Sequence, residues 1–286
     1  MTNFQNTLDT LISQALIEDL GEGDHSSLSC INPNAKGKAH LKVKEDCTIA
    51  GIEVADFIFK KIDTECEFIK LKNDGEFVKN GELAFEIKSS ILTILQCERL
   101  VLNCMQRMSG IATLTKIYTD KLIGYNTKLL DTRKTTPNFR LLEKEAVKIA
   151  GGLNHRFGLY DMMMLKDNHI DFCGGIQQAI ESSWKYKSEK NLKIKIEIET
   201  RNIEDVKKVC EFGIGKIDRI MLDNFSPSDI AIALELISNK FETEASGGIN
   251  LNNIQEYATT GIDFISVGAL THQAKSVDFS LKAVLI

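Results

Sequence analysis

The chain has no C-x-x-C pair. Its seven cysteines (Cys30, Cys47, Cys66, Cys97, Cys104, Cys173 and Cys210) are odd in number and scattered, which argues against a disulfide framework and against a zinc knuckle. Reduced core thiols are the expectation. Nowhere do about 18 apolar residues run together, and the opening MTNFQNTLDTLISQAL has neither a basic start nor a long apolar stretch, so no membrane span or leader is predicted and a cytoplasmic protein is expected. Surplus positive charge is also missing. With 35 Lys+Arg against 40 Asp+Glu the formal charge is −5, whereas proteins that coat nucleic acid or bind membrane surfaces usually carry net positive charge. Any anion site must therefore be local. Nor is the chain poor in apolar residues: 43% hydrophobic and 26% charged residues over 286 positions suffice for one large core or two modest ones.

What is present falls into two regimes. Residues 7–20, TLDTLISQALIEDL, space Leu8, Leu11, Ile12, Ala15 and Leu16 as a helix that GEGDHSS ends. From 38 to 90 the period becomes two, with strands parted by the turn signals Asp74-Gly75 and Asn80-Gly81. Residues 91–123 contain no Pro and only Gly110, and are expected to form one or two helices. After residue 125 short apolar runs end in polar residues and lead into helical stretches: KLLDTRK, YDMMMLKDNH, KIKIEIET, RIMLDN, KFETEASGG and DFISVGAL. Helix signals fall between them, at Asn202, Ser226-Pro227 and Gly261. The expected fold is α/β: an incomplete parallel β/α barrel with an N-terminal α+β sandwich domain. Expected boundaries are 1–112 for the sandwich, 113–270 for the barrel, and 271–286 for a tail packing back on the N-terminal domain. A doubly wound sheet is the alternative, but no G-x-G-x-x-G follows any strand.

In a parallel barrel the C-terminal strand ends share one mouth. Read in order they supply Arg133 and Lys134, then Lys166, Asp167 and His169, then Glu197 and Glu199, Asp223 and Asn224, Ser246-Gly247-Gly248, and Gly268-Ala269. The late glycines offer backbone N–H groups to a phosphate, although they also permit tight strand-to-helix turns. Glu199 and Asp223, on neighbouring strands, suit a magnesium ion carried by a phosphorylated substrate, with Glu197 as a rival on the same strand face. His155 and Arg156 of GGLNHRFGLYD join Arg133, Lys134 and Lys166 as five cations. Such a set suits a ligand with two carboxylates beside a phosphate.

These stretches resemble the quinolinate phosphoribosyltransferases over almost the whole chain: ALIEDLGEGDHSS, ERLVLNCMQRMSGIAT, LDTRKTTP, GGLNHRFGLYDMMMLKDNHI, IEIET, MLDN, EASGGI and ISVGALTH occur in order. The resemblance implies an N-terminal sandwich with an open barrel, assembled as a homodimer or higher oligomer with shared active sites. It also implies phosphoribosyl transfer from phosphoribosyl pyrophosphate to quinolinate, with magnesium, releasing carbon dioxide and pyrophosphate and giving nicotinate mononucleotide for NAD synthesis. By the same resemblance Arg133, His155, Arg156 and Lys166, with Arg99 from a partner subunit, would bind the quinolinate carboxylates. Lys134, Glu199, Asp223, Ser246, Gly247, Gly248, Gly268 and Ala269 would serve phosphoribosyl pyrophosphate and its metal, with Lys166, Glu199 and Asp223 closest to the chemistry and the family pattern favouring Glu199 over Glu197. Asn138 stands where members of the family often have Gly. A Schiff-base aldolase built on Lys166 is a rival that the fold class permits. A carrier-domain hairpin at NDGEFVKNGELAFEI is a poorer one, because no lysine sits between small or apolar residues at its tip.

Overall fold

A computed structural model describes residues 3–284, in two compact units. In chain order the elements are α1 (Asn3–Leu20), α2 (His25–Cys30), β1 (Lys36–Val43), β2 (Cys47–Thr48), α3 (Ile52–Ile62), β3 (Glu67–Lys70), β4 (Phe77–Val78), β5 (Leu83–Ser90) and α4 (Ile91–Lys121). Then come β6 (Lys128–Leu130), α5 (Arg140–Ile149), β7 (Met162–Leu165), α6 (Asp167–Cys173), α7 (Ile176–Glu189), β8 (Lys195–Thr200) and α8 (Ile203–Phe212). The chain finishes with β9 (Arg219–Asp223), α9 (Pro227–Ile237), β10 (Glu242–Ser246), α10 (Ile254–Ala258), β11 (Phe264–Ser266), α11 (Ala269–His272) and β12 (Phe279–Val284).

Of the described residues, the first unit gathers those up to 117, 135–151 and those from 270 onward. Its antiparallel sheet has the order β12-β1-β5-β3, so the last strand of the chain pairs with the first, from Lys38 opposite Val284 to Val43 opposite Phe279. The alternation of β1 turns Ala39, Leu41 and Val43 into the core. There Phe85 meets Phe59 and Phe68 at ring-centroid distances of 6.1 and 4.6 Å, within the range aromatic pairs favour. Residues 91–121 form one helix rather than two. The expected break after residue 112 falls inside it, and the unit draws in segments distant in sequence. One ion pair shows why. On α4 the Arg107 guanidinium donates to Glu143 Oε1 (2.9 Å) and to the carbonyls of Ala274 (2.8 Å) and Thr271 (2.6 Å). The fully buried Glu143 also accepts from the Thr136 N–H (3.0 Å) and hydroxyl (2.9 Å).

The second unit comprises residues 118–134 and 152–269. Six strands, all parallel, take the order β6-β11-β10-β9-β8-β7. The first strand of the series thus pairs with the last, as barrel closure demands. No ladder joins β6 to β7 among the described residues; Leu130 of β6 instead bridges Leu153, in the segment leading to β7. The sheet is an incomplete parallel β/α barrel of the expected kind. Its helices begin where the sequence signals them: the Asn202 side chain accepts from the Asp205 N–H, and the Ser226 side chain accepts from the Asp229 N–H with Pro227 at the first turn. Asn138, in the first unit, has φ 62°, the left-handed conformation that glycine takes freely and that asparagine tolerates better than other side chains. The backbone therefore accounts for the departure noted above.

Gly110 carries a sharper constraint. A Cβ there would lie 1.9 Å from the Lys275 carbonyl oxygen and 3.3 Å from Ser276 Cα, both backbone atoms that cannot swing aside. Gly110→Ala is expected to cost about 3 kcal/mol or more by overpacking. At Gly81 (φ 94°, with nothing within 4 Å of a Cβ) the same change should cost only about 1–2 kcal/mol of backbone strain. Urea unfolding of the two variants measures both.

Candidate active site

Parallel pairing puts the ends of β6 to β11 on one rim, and their side chains form two linked groups there. The first is polar and open. Lys166, immediately before α6, extends Nζ to Glu199 Oε2 at 3.1 Å; the lysine side chain is 48% exposed and the glutamate 8%. The Lys166 N–H donates to His169 Nδ1 (3.0 Å), which fixes the turn. Asp223, the last residue of β9, has its pKa raised by burial and then by the negative charge of Glu199, so the two carboxylates share one field. Asn224 (φ 59°) follows, its Nδ2 donating to Asp223 Oδ2 (2.6 Å) and its N–H to the Ser246 carbonyl (2.8 Å).

The two glycines after Ser246 differ in kind. A Cβ on Gly247 (φ 90°) would strike Asn224 Oδ1 at 2.2 Å, whereas one on Gly248 (φ 67°) would meet nothing within 4 Å. Gly247 is thus explained by the close approach of the neighbouring loop, and Gly248 lines open space that a ligand can enter. Gly268 and Ala269, half-buried, follow β11.

Arg133, past the end of β6, is half-buried, and its Nε takes no hydrogen bond among the described residues. Burial and then the charge of Arg133 lower the Arg156 pKa, which places two guanidinium groups in one another's field. Like charges are brought together at this cost where an anion is to be received. Arg156 steadies its own fork on the Met162 carbonyl (3.2 Å) and Met164 Sδ (3.5 Å). Lys134, exposed, follows Arg133 in sequence.

The second group is buried. His155 Nε2 lies 3.0 Å from Glu197 Oε2 and 3.4 Å from Glu244 Oε2, and both glutamates are fully buried. Glu244 Oε2 also accepts from Arg219 Nη1 (2.9 Å), and the guanidinium carbon stands 4.0 Å from the centre of the Phe264 ring. Donor atoms of His155, Glu197 and Glu244 all lie within 4.8 Å of one another, a spacing that suits a cation; Arg219 is the cation the chain itself provides. Burial lowers the proton affinity of His155, but the two carboxylates outweigh it and the pKa rises to about 9. At Nδ1, however, the ring accepts the Arg156 N–H at 2.7 Å. An imidazolium has no lone pair for that bond, so the geometry holds the ring in its Nε2–H form and a second proton must displace Arg156. Of the two carboxylates, Glu197 is raised, by burial and then by the charge of Glu244. Glu244 is lowered despite its burial, first by His155 and then by a hydrogen bond to Ser266 and the charge of Arg219.

The rim therefore gathers Arg133, Arg156, Lys166, Glu199, Asp223, Ser246, Gly247 and Gly248. His155 sits beneath it, and Glu197 is turned inward rather than toward Asp223. Arg99 is exposed on α4 in the other unit. Sequence reading overlooked Glu244 and Arg219, although a signal was available. Both lie an even number of residues before a rim residue, Ser246 and Asp223, and so face the barrel interior as those residues do.

Comparison with known proteins accords with this arrangement. Residues 24–109 match the quinolinate phosphoribosyl transferase N-terminal domain, and residues 111–282 match its C-terminal domain. The chain is 42% identical over 96% of its length to the chloroplastic nicotinate-nucleotide pyrophosphorylase [carboxylating] of Arabidopsis thaliana, covering 82% of that protein. It is 38% identical to the probable nicotinate-nucleotide pyrophosphorylase [carboxylating] of Bacillus subtilis, over 97% of this chain and 94% of that one. Among solved structures, NadC from Streptococcus pyogenes superposes with a TM-score of 0.90 at 38% identity, over 99% of this chain and 97% of that one. With its barrel, its sandwich sheet and its rim of opposed cations and carboxylates, the chain belongs to the quinolinate phosphoribosyl transferase family.

Proposed function

We propose that this protein transfers the phosphoribosyl group of phosphoribosyl pyrophosphate to quinolinate and releases carbon dioxide, giving nicotinate mononucleotide. The carrying observation is the rim itself: Arg133 and Arg156 in mutual repulsion on one side, Glu199 and Asp223 in mutual repulsion on the other, with Lys166 paired to Glu199 between them. Family membership supplies the reaction that such a site serves. Arg133 and Arg156 present forks to the two ring carboxylates, and Lys166 adds a point charge. Lys134 and the backbone N–H groups around Gly247, Gly248, Gly268 and Ala269 receive phosphates.

Glu199 and Asp223 fit magnesium: they are hard oxygen donors on adjacent strands, and burial followed by the charge of Glu199 raises the proton affinity of Asp223, a cost that a shared cation would offset. Bound there with the pyrophosphate, the ion would neutralise charge that grows on the leaving group. Carboxylates near the ribose also favour the oxocarbenium-like character of the transition state. Once the pyridine nitrogen is quaternary, loss of the adjacent carboxylate leaves a carbanion that the positive ring stabilises, so the arginines need only hold the ring in place. A homodimer in which Arg99 of one subunit completes the quinolinate site of the other is part of the reading, and the cytoplasm remains the proposed location. No helix among the described residues is long and apolar enough to cross a membrane.

Purified protein given quinolinate, phosphoribosyl pyrophosphate and magnesium should yield carbon dioxide and nicotinate mononucleotide in equal amounts. Nicotinate, which leaves cations unpaired, should react at least about a hundredfold more slowly; comparable turnover would sink the substrate assignment. Glu199→Ala and Asp223→Ala should each lower kcat about a hundredfold. Quinolinate binding, followed by calorimetry without the second substrate, should survive in both and even tighten in Glu199→Ala, which frees Lys166. A collapse of that affinity would refute the division of labour. For the shared site, Arg99→Ala and Lys166→Ala homodimers should be nearly inactive. Co-expression should restore roughly a quarter of wild-type activity, since half of randomly formed dimers are mixed and each regains one of two sites. A purified mixed dimer no more active than its parents would place Arg99 outside the partner's site.

A further inference from the structure

We propose that Glu244 and Arg219, which lie below the rim, are positioning residues for quinolinate capture: they fix His155, and through it the backbone of Arg156. The inference rests on the reading that the Arg133–Arg156 side of the rim receives quinolinate.

Hydrogen bonds and close contacts run without interruption from the far side of the barrel to the substrate cation. Phe264 of β11 supports the Arg219 guanidinium. Arg219 Nε and Nη2 donate to Glu242 Oε2 (3.2 and 3.0 Å), and Nη1 donates to Glu244 Oε2 (2.9 Å). Glu244 Oε2 and Glu197 Oε2 both face His155 Nε2. His155 Nδ1 accepts the Arg156 N–H, while the His155 N–H donates to Oδ1 of the fully buried Asp131 (2.8 Å). The turn that carries Arg156 is thereby held at both ring nitrogens and at the backbone. It follows directly on Leu153, which β6 holds through Leu153 N–H to the Leu129 carbonyl (2.8 Å) and Asp131 N–H to the Leu153 carbonyl (3.1 Å); residues 154–161 then belong to no strand, so beyond Leu153 side-chain contacts place the ring. Burying carboxylates and a guanidinium is costly, and apolar residues of similar volume would fill the space more cheaply. What an apolar core would not supply is a set of directed contacts that fixes the ring, and with it Arg156, in one orientation. The charged and titratable groups around the imidazole are Glu197 from β8, Arg219 from β9, Glu244 from β10, Asp131 after β6, and Arg156 beside it in the chain.

The test uses the full-length protein with Glu244→Gln, which preserves shape and one acceptor but removes the charge. Quinolinate titrated calorimetrically in the absence of phosphoribosyl pyrophosphate should bind at least tenfold more weakly than to wild type. The KM for phosphoribosyl pyrophosphate should stay within twofold and the melting temperature close to wild type. In the ¹H–¹⁵N NMR spectrum of the free protein the Arg156 amide should shift, a readout that needs no substrate. Unchanged quinolinate affinity with an unmoved Arg156 amide overturns the proposal, as does an equal loss for both substrates, which marks a general structural lesion. If the Gln variant unfolds, Arg219→Lys, which keeps the charge and loses the fork, is expected to show the same selective loss, and its absence overturns the proposal. If wild type fails to bind quinolinate while the Arg156 amide still responds to Glu244→Gln, the functional reading falls and the structural coupling stands.

Discussion

Parallel pairing of six strands is the constraint on which the rest of the site depends. A parallel ladder aligns the strand ends, so a residue just past any strand is delivered to the same rim whatever its distance in sequence. Asp131 and Glu244 are more than a hundred positions apart, yet both hold His155 within hydrogen-bonding or ion-pair distance. β6 stands beside β11 instead of β7, so nearly the whole circuit of the barrel is traversed between first and last strand. The seam that remains falls beside the turn bearing His155 and Arg156. Backbone bonds to β6 end at Leu153, and past that point buried carboxylates supply the anchors.

That solution has an electrostatic cost. Two carboxylates in a barrel interior are each penalised by several kcal/mol on the order expected for ions removed from water, and their mutual repulsion adds to it. Arg219 offsets part of this at Glu244, where its Nη1 makes a direct bond. Glu197 has no such bond, and its Oε1 takes none among the described residues. Burial and repulsion therefore raise the proton affinity of Glu197, while His155, Ser266 and Arg219 together lower that of Glu244. The same logic operates in the first unit, where half-buried Arg107 and fully buried Glu143 form one pair whose remaining donors and acceptors are used on Thr136, Thr271 and Ala274.

The sequence carried the barrel plainly. Six runs of β-branched and apolar residues, each ending in polar chemistry and followed by a capped helix, correspond to β6 to β11, and the cap residues Asn202 and Ser226 act through the hydrogen bonds that their side chains suggest. Less legible was anything that depends on contacts between distant segments. The adoption of residues 135–151 by the first unit follows from the Arg107–Glu143 pair, and no local pattern announces that pairing. Gly247 and Gly248 look equivalent in SGGI, but one is required by Asn224 at its back and the other faces open space. Glu244 was within reach of a period-two argument; attention to strand ends alone passed over the residue two positions earlier.

An even interval, two residues on β8 and β10 and four on β9, separates structure from chemistry at three strands. Glu197 and Glu199, Arg219 and Asp223, Glu244 and Ser246 share faces, and each step of two along a strand moves a side chain by about 6.6 Å. On β8 a single step carries a carboxylate from complete burial beside His155 to the rim, where Lys166 and solvent reach it. The two glutamates of IEIET are chemically alike, and depth alone assigns their work. At depth the dielectric environment makes a charge expensive to ionise and valuable for holding a neighbour in place; at the rim the same charge remains free to exchange its lysine for a ligand. Arg219 and Asp223 repeat this division four residues apart, the guanidinium locked over Phe264 and the carboxylate facing Glu199. The barrel interior thus reads as two stacked layers, the lower one consuming its charges internally so that the upper one can present charges that are not yet satisfied.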